Sequence, residues 1–156
     1  MRMWPMLLSV VALAPAWSWA GEPKGFEAVP FGTPRTALVV DGAFRARCHP
    51  APETLAAIRT ENWRVTCPTY DLSNFGPLRV AFLFDEGDRL AGYVVYIPQE
   101  NQGQMRAKLQ SLYGTPSREL EQGRTLVWDW PSGTEASLTV FCLGADGCLT
   151  VKSKSP

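Results

Sequence analysis

Leu78-Arg79-Val80-Ala81-Phe82-Leu83-Phe84-Asp85-Glu86-Gly87-Asp88-Arg89-Leu90-Ala91-Gly92-Tyr93-Val94-Val95-Tyr96-Ile97 reads as a β-hairpin. Leu78, Val80, Phe82 and Phe84 recur at every second position, the period of a strand with one buried face. Asp85-Glu86-Gly87-Asp88 turns the chain, with Gly87 able to take a positive φ. The return strand, Arg89 to Ile97, carries Leu90, Val94 and Tyr96 on one side and Tyr93, Val95 and Ile97 on the other. Apolar residues on both sides predict a central strand, or one covered on both faces.

Downstream, Gln99 to Tyr113 predicts a helix, because Met105, Leu109, Leu112 and Tyr113 fall at i, i+4, i+7 and i+8. Gly114 caps it and Pro116 blocks continuation. Three strands follow, marked by Leu126, Trp128 and Trp130, by Leu138, Val140 and Cys142, and by Leu149 and Val151. Upstream, Trp63, Val65 and Cys67 alternate as a strand. Pro52 and Glu53 open a helix with Leu55 and Ile58 three apart. Thr33 as N-cap and Pro34 at the first helical position start a brief helix ending near Asp41-Gly42, although Val39-Val40 can equally begin a strand. Residues 21–30 read as a polar lead-in. The order helix, strands, helix, strands predicts a single α+β domain over residues 21–156, with helices packed on an antiparallel meander sheet.

Phe31-Gly32-Thr33-Pro34 and Tyr113-Gly114-Thr115-Pro116 share turn chemistry; the first opens a helix and the second closes one, so they do not establish a repeat. On these motifs, and on the Trp-bearing strand after the second, the chain resembles a group of small exported bacterial proteins of unassigned role. Its helix-plus-meander organisation is similar to the β-lactamase inhibitor proteins and the BamE-type outer-membrane assembly proteins. The resemblance implies an architecture and carries over no functional residue. It departs from the BamE type in having no Cys directly after the leader.

Residues 1–20 predict that leader. Arg2 supplies a positive start, Met6 to Ala16 an apolar run, and Ser18-Trp19-Ala20 the small residues of a signal-peptide cut between Ala20 and Gly21. The run is short of the ~20 apolar residues of a membrane span. The protein is therefore expected to be exported, periplasmic or secreted, with no membrane span after cleavage. Cys48, Cys67, Cys142 and Cys148 then read as two disulfides. Local spacing favours Cys48–Cys67 and Cys142–Cys148 over the other pairings. One histidine and no C-x-x-C argue against zinc.

Fifteen basic and fifteen acidic side chains give a net charge of zero, which argues against a nucleic-acid partner. G-x-S-x-G, P-loop and G-x-G-x-x-G patterns are missing. His49 directly follows Cys48, a poor geometry for a Cys–His dyad. Asp85, Glu86 and Asp88 lack EF-hand spacing and read as a solvated hairpin tip. Glu119 and Glu121 read as surface carboxylates. No catalytic, cofactor or metal residue is assigned. The aromatic content is the most suggestive feature: Trp130, Trp128 and Tyr93 are the candidate partner contacts, with core filling as the competing reading of Trp128 and Trp130. The expected function is a non-enzymatic binding module that engages a protein or envelope component through a sheet face or edge. The alternatives are a small envelope hydrolase using surface carboxylates, and a carbohydrate or lipid binder with the sheet as one wall of a cleft.

Overall fold

Two meanders, one from each half of the chain, join into one antiparallel sheet. The structure, a computed structural model, describes residues 21–49, 63–72 and 75–154. The leader and the helix expected after Pro52 lie outside the described residues. In chain order come β1 (Gly25–Phe26), β2 (Val29–Pro30), α1 (Arg35–Val40), α2 (Gly42–Arg47), β3 (Cys48–His49), β4 (Arg64–Leu72), β5 (Gly76–Phe84) and β6 (Leu90–Ile97). A 3-10 turn (Gln99–Asn101) leads into α3 (Gln102–Tyr113), followed by β7 (Arg118–Leu120), β8 (Thr125–Asp129), β9 (Glu135–Leu143) and β10 (Asp146–Lys152). The eight-stranded sheet runs β3-β4-β5-β6-β10-β9-β8-β7. The last strand of each half, β6 or β10, lies at its centre, as the two apolar sides of β6 require.

The mixed helix-and-antiparallel-sheet class matches the sequence reading, but the element order does not. The small β1–β2 hairpin precedes the helices, and strands dominate the chain. The lead-in is not merely polar: it inserts Phe26, 1% exposed, edge-on to Tyr70 (5.2 Å), Phe82 (4.8 Å) and Tyr93 (4.8 Å). Burying a phenylalanine contributes about 1.5–3 kcal/mol, which anchors a hairpin too short to stand alone. Thr33 does not cap α1; its hydroxyl donates to the Pro30 carbonyl, and Pro34 occupies the N-cap position. Asp41 does cap α2, accepting from the Phe44 N–H at 2.8 Å.

One row of side chains crosses the core face: Val65, Phe82, Tyr93, Val151, Ala136 and Trp128, paired in turn from β4 to β8. The helices cover this face with Leu38, Phe44, Met105 and Leu109, all buried. Two bulges adjust the register. Cys67 pairs with Val80 but Tyr70 with Leu78, so β4 carries an extra residue beside Pro68, a residue that suits bulges because it lacks an N–H. Leu83 pairs with Gly92 but Phe84 with Leu90. That shift turns Leu90 toward the core instead of the Val94 side that strict alternation predicts. Cys48 with Cys67, and Cys142 with Cys148, stand at disulfide-bonding positions, with Cα separations of 5.2 and 5.7 Å.

Candidate functional site

Alternation places a second row on the opposite face: Thr66, Ala81, Val94, Thr150, Ser137, Val127 and Arg118, paired in turn from β4 to β7. No described helix packs on this face. Ala81 and Val127 are buried, yet neither belongs to the core cluster. Small and β-branched side chains keep the row low, so the larger residues at its two ends define the surface.

At the end formed by the first meander, Arg64 donates from Nη2 to the Tyr96 hydroxyl at 2.6 Å. Arg79, opposite Tyr96 in register, holds its guanidinium 5.0 Å from the centre of the Tyr96 ring. This is cation–π distance. Arg79 is exposed, while Arg64 and Tyr96 are half-buried. No carboxylate among the described residues pairs with either arginine. The other end differs. Arg118 pairs with Asp129 at 3.0 Å and Glu135 at 3.3 Å, and the hydrogen bond to Asp129 raises its pKa. Leu120 shares that end and is 44% exposed; Phe141 and Leu143, at the end of β9, are 56% and 50% exposed.

Two of the three aromatic residues expected at a partner contact belong instead to the core. Tyr93 is 1% exposed, because its central strand faces the β1 hairpin, and burial pushes its phenol well above its ordinary pKa. Trp128 is 2% exposed beneath the end of α3, where its indole N–H donates to the Gly114 carbonyl at 3.0 Å. Trp130 lies just beyond β8, half-buried and edge-on to Tyr113 at 5.2 Å. It belongs to the rim of the helix-covered side. Arg64, Arg79 and Tyr96 were missed as a group. The sequence signal was present in the apolar second side of β6, but nothing local says whether that side is covered.

The titratable candidates are dispersed. His49 lies 3.5 Å from Asp71 on the exposed surface, and Cys48 is at bonding distance from Cys67. Asp85 accepts from the Gly87 and Arg89 N–H groups, and Asp88 pairs with Arg35 at 2.7 Å. Glu119 and Glu121 are exposed on β7 and the turn after it. A cleft of about 180 Å³ opens between the start of α3 and the sheet, lined by Gln102, Arg106, Arg124, Leu126 and Thr139 among others, with no carboxylate. Gln102 occupies its polar side, donating to the Val140 carbonyl at 3.1 Å. Among the described residues, no three His, Cys, Asp or Glu side chains converge, and no helix is long and apolar enough to cross a membrane. No protein-family model, curated protein or solved structure matches the chain significantly.

Proposed function

We propose that the protein is exported and acts as a non-enzymatic binding module, engaging a protein or envelope component through the sheet face on which no described helix packs. One observation carries this reading. An antiparallel sheet with one solvated face normally alternates apolar-in and polar-out. Here the outer face instead carries half-buried Leu83, Val94 and Tyr96 around buried Ala81 and Val127, with no described helix over them. Aromatic and arginine side chains set among small apolar ones match the composition of interface centres. The two cysteine pairs support an oxidising compartment.

A photo-crosslinking amino acid placed at exposed Lys152 or half-buried Ser137, on that face, should yield adducts in envelope extract. The same group at Gln110, exposed on α3, should yield none. Adducts confined to Gln110, or none from any position, would reject the open face as the contact surface.

A further inference from the structure

Resting on the open-face reading, we infer that the partner is a protein presenting an acidic side chain, seated between Arg64 and Arg79 beside the Tyr96 ring. Three arginines elsewhere in the molecule meet carboxylates, Arg35 with Asp88, Arg47 with Glu27, and Arg118 with Asp129 and Glu135, while Arg89 donates to the Gly32 carbonyl. Arg64 and Arg79 instead both meet Tyr96, one at its hydroxyl and one over its ring, with no carboxylate of the described residues at ion-pair distance from either; Asp71, opposite Pro77 on the same face, faces His49. Two like charges held on one tyrosine side chain repel each other, and a carboxylate that meets both offsets that repulsion. A guanidinium fork matches a carboxylate in two parallel hydrogen bonds. Tyr96 accepts from Arg64 and keeps its own hydroxyl proton to donate. Contacts to Tyr96 already hold both guanidinium groups, so binding would order little that is not ordered in the free protein.

A lipid surface fits less well. Headgroup recognition uses clusters of about 4–8 basic residues. Here only Lys152 joins the two arginines on this part of the face, it stands opposite Glu135 in register, Asp71 and Asp129 share the face, and the chain carries zero net charge. Acidic and apolar groups together, matching the arginine end and Leu120, describe a protein surface.

The test uses a displayed library of random dodecapeptides selected on the wild-type protein, with phosphatidylglycerol vesicles as a second probe. Recovered peptides should be rich in Asp and Glu, and should bind Arg79→Gln and Arg64→Gln about tenfold or more weakly, the scale of one charged hydrogen bond. Arg79→Lys should retain part of the affinity. Arg79 is exposed, so Arg79→Gln should keep the wild-type thermal midpoint. Recovery of no peptide, or of acidic peptides indifferent to Arg79→Gln, overturns the inference. Peptides without acidic enrichment that are lost on Ser137→Arg overturn the acid preference and leave the open face standing. Peptides indifferent to both substitutions reject both readings. Vesicle binding that depends on Arg79, without acidic peptides, assigns the patch to lipid and also overturns it.

Discussion

Phe82 is fully buried mid-strand, with its ring 4.8 Å from Phe26, 5.3 Å from Phe44 and 5.9 Å from Tyr70. Those partners come from β1, α2 and β4, so one side chain joins three separate pieces of chain. Phe82→Ala should cost about 3–5 kcal/mol, through lost burial and an unfilled cavity. The shift of the chemical-denaturation midpoint measures it, and a loss below about 1 kcal/mol would show that the site collapses without a cavity. Trp130→Ala should cost only about 1–2 kcal/mol, since it forfeits part of its burial and one edge-on contact with Tyr113. Phe82 was legible because its neighbours repeat with period two. Tyr93 and Tyr96 were not distinguishable on the same grounds: both lie in an apolar strand, on opposite sides, and only the position of the helices and β1 makes one core and the other surface.

The strongest elements were readable and the shortest were not. β5, β6 and α3 repeat their pattern over enough residues to show a period, whereas β3 has two residues and β7 three. β3 holds the edge of the sheet by pairing Cys48 with Tyr70, and the Cys48–Cys67 pair fastens it to β4. Cys48→Ser should therefore destabilise the protein by about 2–5 kcal/mol in denaturant titration. Non-reducing peptide mapping of the wild type should recover 48 linked to 67 and 142 linked to 148; a fragment joining 48 to 142 would overturn this pairing. The bulges beside Pro68 and Ala91 belong to the same scale. Proline announces the first, but nothing in the local pattern announces the second, so Leu90 was placed on the wrong side of β6.

Across the whole molecule, three tyrosines report the integrity of the core. Burial raises the phenol pKa of Tyr70 and Tyr93, and pushes that of Tyr113 up to about 12. The folded state holds these groups neutral while the unfolded chain releases their protons near pH 10. Their contribution to stability is thus complete below about pH 10, and is lost as pH rises through the folded values. Phenolate absorbance should lag behind that of free tyrosine, rising together with loss of the near-ultraviolet circular dichroism. Full ionisation near pH 10 with the fold intact would contradict the burial of these rings. By itself, the sequence determined the hairpin at Leu78–Ile97, the helix ending at Tyr113, the mixed class and the local cysteine pairs, because each is written in residues close together along the chain. Only the tertiary structure decided that the two meanders meet at β6 and β10, that Phe26 enters the core, and that Tyr96 faces outward with Arg64 and Arg79. Those outcomes depend on which distant element covers which face, and a period of two records that a strand has two sides without recording what lies against either.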